Sequence, residues 1–468
     1  MAHTSVVRFY GGAGSVTGSN FMLEVSPSSQ RATTIKILVD CGLFQGERSF
    51  ETGNWDPFAY NPTEIDFLIN THVHIDHIGR IPKLVRDGYR GPILSTAASR
   101  ELAEPLLLDA LALNRHDALR LHKEPLYSEE DIAQAMKQWR GISYHEPQDM
   151  GDGVELQLLN SGHILGSAMA RFTRSGRTIV FTGDLGGGNS PLLPLAEVPK
   201  DVQYLLIESV YGDKKRPDDA NRQEALERII EDATKDGGTL LIPAFSTERT
   251  QDLIYEIREL MLGKRIPDMP VYVDSPLAEK ITEGYAHSPS YFNDDIRKRI
   301  EGGERIFSFP QMHFIENGKD SEELNQRPGP KIILAGSGMS NGGRVVGHEK
   351  TILPDEKSTL LIVGYQAAGS LGRRLVEGAK KVSIHGEEVL VRCQVKTMYG
   401  YSAHMDGEQL LEFVNKISDS PAGTAPLEQV FVVMGEPASA SFLVQRVRDY
   451  LGLKATAPEV GQSVAINL

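Results

Sequence analysis

The segment THVHIDHIGR, residues 71–80, contains three histidines and one aspartate within six positions. Imidazole nitrogens and carboxylate oxygens are the ligands that zinc-type ions take in proteins. Because alternate residues of an extended segment point the same way, His72 and His74 are expected to share one side. Asp76 and His77 then belong to the following turn, so the segment could face two adjacent ions. The alternative is a polar loop whose histidines cap a helix.

Two residues further along the chain have the setting of metal ligands. His163 follows a strand in the Gly-flanked turn NSGHILGSA, and Asp184 ends the strand of VFTGDLG. A carboxylate at such a strand end can bridge two ions. Taken singly, these residues are typical of a turn histidine and a capping aspartate, but together with the 72–77 cluster they predict a metal centre. Asp40, which ends TIKILVD, is expected to orient that cluster through hydrogen bonds.

Short strands are predicted around these ligands. β-branched and apolar runs separated by turn residues predict an N-terminal meander, and a buried strand in DFLINTH ends at the cluster. Helical spacing follows at residues 98–140, and strands return before His163 and Asp184. From about residue 200, strands and helices alternate, which predicts a parallel α/β unit.

Composition limits the classes of function. The chain has 468 residues, 40% of them hydrophobic and 24% charged, and a formal net charge of −14. This length favours two or more compact units. The negative charge excludes nucleic-acid binding through a globally positive field, so such a partner would need local phosphate sites.

The expected setting is the cytoplasm. The N-terminus lacks a basic region followed by an apolar run, and no apolar stretch is long enough to cross a bilayer. The two cysteines, Cys41 and Cys393, are expected to be reduced thiols. We therefore expect a cytoplasmic protein without a membrane partner.

The order of the candidate ligands resembles the metallo-β-lactamase fold. The residues on which this resemblance rests are Asp40, the H-x-H-x-D-H motif at 72–77, His163 and Asp184. The resemblance implies an α/β protein built as a four-layer αββα sandwich, with its metals along one edge of the sheets. The first ion would be held by His72, His74, His163 and Asp184. The second would be held by Asp76, His77 and the bridging Asp184.

Segments after Asp184 resemble the β-CASP insertion. Glu208 in IESVYG resembles the acidic motif that opens this insertion, and IPAFSTERTQ, VDSPLA and AGSGMSNGGR look like later parts of it. His404 in GYSAHMD stands where β-CASP nucleases carry a histidine thought to act as general acid. The chain is similar over nearly its whole length to the bacterial and archaeal relatives of the eukaryotic pre-mRNA 3′-end endonuclease.

Three segments follow from this resemblance. Residues 1–208 are predicted to form the first part of the metallo-β-lactamase domain, 209–368 the inserted β-CASP domain, and 369–468 the C-terminal part of the first domain. The activity implied is a metal-dependent ribonuclease that hydrolyses RNA phosphodiester bonds. Zinc is the expected ion, with manganese as the alternative.

The chemistry of such a site assigns roles to three residues. A bound divalent ion lowers the pKa of water to near neutrality and offsets charge on phosphate oxygens. Asp76 is expected to take part in catalysis at the second ion. His404 can protonate the leaving oxygen, and Glu208 can orient and tune it. The alternative for both is a structural hydrogen bond at a strand end.

A phosphate site is predicted in the insertion. The Gly-rich GSGMSNGGR could cradle a phosphate through backbone N–H groups at Gly338 and the hydroxyls of Ser337 and Ser340. Arg249 and Ser275 are expected to add contacts. These donors suit an acidic protein that binds single-stranded RNA, whereas the alternative is a turn without a ligand.

Met434 departs from the family pattern. The family normally carries a last histidine in a V-H-G-E context, but this chain has VFVVMGEP. A thioether is a soft ligand and a poor partner for zinc beside imidazoles and carboxylates. The second ion is therefore in doubt: water or substrate could fill the gap, the enzyme could work with one ion, or activity could be lost.

Two other functions stay open from the sequence. One is a small-molecule hydrolase of the same fold that acts on thioesters, lactams or lactones, although the inserted domain argues against it. The other is a catalytically weakened RNA-binding scaffold, which the retained Glu208 and His404 disfavour. A homodimer is also left open.

Overall fold

The computed structural model describes residues 4–27, 33–46, 51–215, 221–364, 366, 369–398, 400–419 and 426–468. The strands are β1 (Thr4–Gly11), β2 (Asn20–Val25), β3 (Ile35–Val39), β4 (Phe67–Ile69), β5 (Ile93–Thr96), β6 (Trp139–Ile142), β7 (Gln148–Gly151), β8 (Val154–Asn160), β9 (Ala168–Arg174), β10 (Arg177–Phe181), β11 (Tyr204–Glu208), β12 (Thr239–Pro243), β13 (Val271–Asp274), β14 (Met312–Phe314), β15 (Lys331–Ala335), β16 (Thr359–Ile362), β17 (Lys381–Ile384), β18 (Glu387–Leu390), β19 (Gln394–Thr397), β20 (Gln429–Val433), β21 (Ala455–Thr456) and β22 (Ser463–Asn467).

The α-helices are α1 (Ile75–Ile78), α2 (Ile81–Arg86), α3 (Ala97–Leu121), α4 (Glu129–Gln138), α5 (Arg222–Thr234), α6 (Arg249–Leu262), α7 (Pro276–His287), α8 (Asp294–Glu301), α9 (Gly318–Leu324), α10 (Arg344–Ile352), α11 (Leu371–Val376), α12 (Gly407–Ser418) and α13 (Pro437–Leu451). Within the described ranges, none of these helices combines the length and the apolar character that a membrane span requires.

The chain divides into two compact units. The first unit contains residues 1–188, 193–215 and 403–468, and the second contains residues 189–192 and 216–402. The chain therefore passes from one unit to the other several times.

Two seven-stranded sheets form the centre of the first unit. Their strand orders are β22-β1-β2-β3-β4-β5-β6 and β21-β20-β11-β10-β9-β8-β7. The predicted meander is present, because β1, β2 and β3 pair antiparallel. A hydrophobic core draws on both sheets, for example through Phe9, Ile37, Leu158 and Phe172. Apolar side chains interdigitating between two sheet faces are what hold such a sandwich together.

Helices cover the sheets of the first unit. Leu410 of α12 and Leu443 of α13 share a second core with Leu205 of the second sheet. Local signals set these helices, since Asp406 and Gln409 form a reciprocal capping box at the start of α12. The helical region predicted at residues 98–140 corresponds to α3 and α4. This arrangement confirms the predicted αββα sandwich.

The second unit is an α/β domain. Its six-stranded sheet has the order β14-β13-β15-β12-β16-β19, and each of the five pairings between neighbouring strands is parallel. Parallel strands need crossover connections, and α6, α7 and α10 each follow directly after a strand of this sheet. The predicted inserted α/β domain is therefore confirmed.

The unit boundaries differ from the three predicted segments 1–208, 209–368 and 369–468. Residues 369–402 lie in the second unit. The physical reason is pairing and packing: β19 pairs with β16 in the six-stranded sheet, and Val382 and Val389 of the β17–β18 hairpin join the core around Leu360. The sequence pattern of a short strand does not specify which sheet it joins.

Candidate metal centre

The candidate centre of the first unit is built from residues that follow strands. Residues 70–74 follow β4, and α1 begins directly after His74, whose backbone is extended. His163 lies in the turn between β8 and β9, and Asp184 lies in the loop after β10. Glu208 is the last residue of β11. The sheets thus bring together residues that are more than 100 positions apart in sequence.

Four donor atoms form a compact group, which we call the first donor set: His72 Nε2, His74 Nδ1, His163 Nε2 and Asp184 Oδ2. His74 Nδ1 lies 3.1 Å from His72 Nε2 and 3.2 Å from His163 Nε2. Asp184 Oδ2 lies 3.5 Å from the Nε2 atoms of both His72 and His163. All four side chains could offer one donor atom within 4.8 Å of the others.

This geometry fits a tetrahedral ion. Metal–nitrogen distances of about 2.0–2.1 Å in a tetrahedral shell separate neighbouring donors by roughly 3.4 Å. Burial lowers the pKa of His72, and it lowers the pKa values of His74 and His163 well below the usual histidine range. Neutral imidazoles are the form that binds metal. The four residues therefore fit a zinc-type ion.

A second donor set consists of Asp76, His77 and the other oxygen of Asp184. His77 Nε2 lies 3.5 Å from Asp184 Oδ1 and 3.9 Å from Asp76 Oδ2. Both His77 Nε2 and Asp184 Oδ1 are buried, and neither has a hydrogen-bond partner among the described residues. Buried polar atoms without partners are costly, so these two atoms fit a cation. The donors of this set do not all lie within 4.8 Å of one another.

The charges around the second donor set shift the pKa values of its residues. Burial opposes the charged form of His77, but Asp184, Asp40 and Asp76 outweigh it and raise the pKa of His77 well above the usual range. Burial likewise opposes ionisation of Asp184, but the neighbouring His77 and His72 lower its pKa well below the usual range. The carboxylates of Asp184, Asp40 and Asp76 therefore stabilise positive charge at this position.

Asp40 binds the ring nitrogen of His77 that is not directed at Asp184. His77 Nδ1 donates to Asp40 Oδ2 over 2.7 Å, which leaves Nε2 directed at Asp184. The carboxylate of Asp40 also accepts from Thr71 N and from Thr71 Oγ1, both over 2.8 Å. Such contacts fix the tautomer and the ring orientation of a ligating histidine. Asp40 is therefore hydrogen-bonded both to His77 and to the backbone and side chain of Thr71.

His404, Glu208 and Asp184 form a further group. His404 Nδ1 lies 3.1 Å from Glu208 Oε1 and 4.0 Å from Asp184 Oδ2. Glu208 Oε1 also accepts from Leu185 N over 2.8 Å, so the carboxylate is fixed by the loop that carries Asp184. Burial opposes the charged form of His404, but Glu208, with Asp184 and Asp76, outweighs it and raises the pKa of His404.

Met434 is part of the hydrophobic core. It directly follows β20, is 2% exposed and packs in the core between the two sheets. Its sulfur lies against Gly12, where an added Cβ would approach it to 2.4 Å. A cavity of about 10 Å³, the size of one water, is lined by Met434 together with Asp40 and Thr71.

The predicted phosphate residues lie in the second unit. Arg249 begins α6, Ser275 caps α7 by accepting from Ala278 N, and Ser337 and Gly338 follow β15. Ser337 Oγ is buried and has no hydrogen-bond partner among the described residues. Parallel strands direct their carboxyl ends, and the N-termini of the following helices, to one edge of a sheet.

Ser340 differs from the other predicted phosphate residues. Its side chain is buried, with 1% exposure, and its hydroxyl donates to Glu349. Burial raises the pKa of Glu349 to about 8. The hydroxyl of Ser340 therefore faces the interior of the second unit, which the Gly-rich pattern alone did not indicate.

Sequence reasoning missed three neighbours of these sites. Thr71 contacts Asp40, as described above. Ser246 Oγ lies 3.3 Å from Ser275 Oγ, and Phe245 is an aromatic side chain with 42% exposure beside Gly338. Thr71 borders the histidine motif and Phe245 lies in IPAFSTERTQ, but neither residue type is itself a signal for a site.

Family models match most of the chain. They are described as Metallo-beta-lactamase superfamily for residues 31–244, Beta-Casp domain for residues 250–375, and Zn-dependent metallo-hydrolase RNA specificity domain for residues 388–458. The fold and the site thus define a metallo-β-lactamase-type hydrolase with an inserted β-CASP domain.

Two similar proteins identify the family. Ribonuclease TTHA0252 of Thermus thermophilus is 37% identical over 406 residues, which are 86% of this chain and 89% of that protein. Transcription termination factor FttA of Methanosarcina mazei is 31% identical over 467 residues, which are 96% of this chain and 70% of that protein. The chain belongs to the β-CASP ribonuclease family.

A solved structure shares the fold. It is a protein of unknown function from Enterococcus faecalis, with a TM-score of 0.55 and 12% identity over 99% of this chain and 100% of that one. At this identity the likeness concerns the fold alone. The two alternative functions, a small-molecule hydrolase and an RNA-binding scaffold, find no support in the names of these relatives.

Proposed function

We propose that this protein is a zinc-dependent ribonuclease that hydrolyses phosphodiester bonds of single-stranded RNA. The observation that carries the proposal is that Asp184 lies beside both the three converging imidazoles of the first donor set and the His404–Glu208 pair. A metal centre and a candidate proton donor therefore share one carboxylate. The named relatives and the RNA specificity domain model support RNA as the substrate.

Zinc is the proposed ion, and manganese is the alternative. The imidazole-rich first donor set and the description of the matched Zn-dependent model support zinc. When bound, such ions supply Lewis acidity that activates water and offsets charge on phosphate oxygens. We propose one firmly held ion in the first donor set and a weaker site in the second, because Met434 offers no hard ligand there.

His404 and Glu208 are proposed to handle the leaving group. His404 protonates the leaving oxygen, since its Nδ1 is hydrogen-bonded to Glu208 and its other nitrogen can face the substrate. Glu208 holds the imidazole and favours its protonated form. Asp76 is proposed to orient the attacking water at the second donor set.

Substrate phosphates are proposed to bind in the second unit. Ser275, Ser337 and the backbone of Gly338 follow adjacent parallel strands, and Arg249 adds positive charge at the start of α6. These are local donors, which suits a chain of net charge −14. Ser340 is proposed to support this loop through Glu349 rather than to touch phosphate.

Cleavage of a labelled, unstructured RNA tests the proposal. The zinc-loaded protein is expected to cleave it, and His404→Ala is expected to lose about 10²–10³-fold in kcat at unchanged zinc content. The isosteric Glu208→Gln, which keeps an acceptor oxygen, should lose less. An intact RNA after incubation with zinc-loaded or manganese-loaded protein between about pH 5 and 8, the range in which histidine changes its charge, would refute the function.

A further inference from the structure

A buried ion pair in the second unit lies outside the proposed site. Arg222 of α5 donates from Nη2 to Glu256 Oε1 of α6 over 2.5 Å, and from Nε to the same oxygen over 3.1 Å. The side chains are 10% and 6% exposed, respectively. Such a pair requires further hydrogen bonds to offset the cost of burying its charges. The further hydrogen bonds of Arg222 indicate what this ion pair does.

Arg222 binds two segments that lead out of the second unit. Its Nη1 donates to Asn189 O over 2.5 Å and to Gly400 O over 3.2 Å. Asn189 Nδ2 reaches the same Gly400 carbonyl over 3.4 Å. One guanidinium therefore fixes the backbone at residues 189 and 400, which are far apart in sequence.

Tyr401 completes the cluster. Its side chain is 1% exposed, and its hydroxyl donates to Glu256. The guanidinium of Arg222 lies over its ring, 4.5 Å from the centroid. Ser190 adds a further attachment, since its hydroxyl donates to Asp252 Oδ1 of α6 over 2.8 Å. We call Arg222, Glu256 and Tyr401 the crossover anchor.

The anchor ends three residues before His404. Residues 400–402 belong to the second unit and residues 403–406 to the first. On the other side of this boundary, Ala403 O accepts from Gly187 N over 2.7 Å, and His404 bonds to Glu208. Gly400 is thus bound within the second unit and His404 within the first, and three residues lie between them in sequence.

We propose that the crossover anchor positions His404. Arg222, Glu256 and Tyr401 fix residues 400–402, so that the imidazole of His404 keeps the orientation in which Glu208 holds it. The inference rests on the proposed function, because it takes His404 as the proton donor to the leaving oxygen. These three residues touch no reacting atom and are positioning residues.

Tyr401→Phe is the variant that tests this role. It removes the hydroxyl bound to Glu256 and keeps the ring under Arg222. If the anchor positions His404, kcat on single-stranded RNA falls about 5–20-fold, while KM and zinc content stay within about twofold. In a His404→Ala background the same substitution has no further effect, because the proton donor it would misplace is absent.

A leaving-group probe separates positioning from a general structural loss. The nitrophenolate of bis(p-nitrophenyl) phosphate leaves as a stable anion and needs no protonation. Hydrolysis of this ester by Tyr401→Phe is therefore expected to stay within about twofold of wild type. A purely structural defect would lower the rates on both substrates equally.

Tyr255→Phe is the matched control. Tyr255 also lies on α6, its hydroxyl accepts from Arg299 Nη1 over 2.7 Å, and Arg299 pairs with Glu259 over 2.8 Å. This cluster has the same residue types as the crossover anchor but bonds to neither residue 189 nor residue 400. The variant is expected to leave all rates within about twofold.

The outcomes divide cleanly. Equal losses by Tyr401→Phe on both substrates, an unchanged kcat on RNA, or a full further loss in the His404→Ala background would overturn the positioning role and leave the ribonuclease proposal standing. A wild-type protein that cleaves the ester but leaves RNA intact would overturn both.

Discussion

Asp184 presents one carboxylate oxygen to each of two donor sets, and the two sets differ in construction. Oδ2 faces three imidazoles at mutual distances close to those of a tetrahedral shell. Oδ1 faces His77 and, beyond it, Asp76, with longer separations. The first set offers donor atoms from four side chains, whereas the second offers donor atoms from three.

Met434 explains the difference in part. The residue follows β20, next to the end of β11, but its side chain packs into the core against Gly12. The second set nevertheless retains its supporting contacts, because Asp40 still holds His77. The comparison shows that the contacts orienting His77 are present although Met434 offers no nitrogen or oxygen donor beside them.

The largest effect is expected from the first donor set. His163→Ala removes one of three imidazoles around the ion, so tight zinc binding should be lost and cleavage should fall by roughly 10³-fold or more. Zinc content by elemental analysis and the rate on labelled RNA check this. Retention of one zinc with near-normal cleavage would show that the first set is not the principal site.

Asp76→Asn is expected to have a smaller effect. It neutralises one ligand of the second set, and we expect cleavage to fall about 10–100-fold while one tight zinc remains. A zinc titration followed by the RNA assay separates affinity from rate. Loss of the tight zinc in this variant would contradict the division into two sets.

Asp40→Asn tests the support of the second set. The amide cannot accept from His77 Nδ1, Thr71 N and Thr71 Oγ1 with the strength of a carboxylate, so the affinity of the second site should fall by about tenfold. Tight zinc binding at the first site should change little. Equal weakening of both sites would mean that Asp40 organises the whole centre.

Met434→Leu should have the smallest effect. The substitution conserves volume in the core, and its cost in unfolding free energy is expected to be below about 1.5 kcal/mol. Zinc binding and cleavage are expected to stay within about twofold. A marked drop in zinc binding would show that the thioether is itself a ligand.

Much of this molecule could be predicted from sequence because its signals are local. The histidine motif, the carboxylates at strand ends and the alternation of strands and helices after residue 200 all depend on neighbouring residues. They were sufficient for the αββα sandwich, for the inserted α/β domain and for the residues that the structure brings together around Asp184.

Other features depend on long-range packing and could not be predicted. The parallel pairing of β19 with β16 places residues 369–402 in the second unit, although each strand alone carries no such information. The inward orientation of the Ser340 hydroxyl depends on Glu349. The contacts of Tyr401 depend on Glu256, which lies 145 positions earlier in the sequence, and on Arg222, which lies 179 positions earlier. These contacts arise only when distant elements have packed.

Native mass spectrometry of zinc-loaded wild type and Met434→His tests the central claim most directly. The wild type is expected to retain one tightly bound ion, held by the first donor set. Met434→His, with Met434→Leu as its control, is expected to retain two. Two tightly held ions in the wild type, or the same number in all three proteins, would contradict the account.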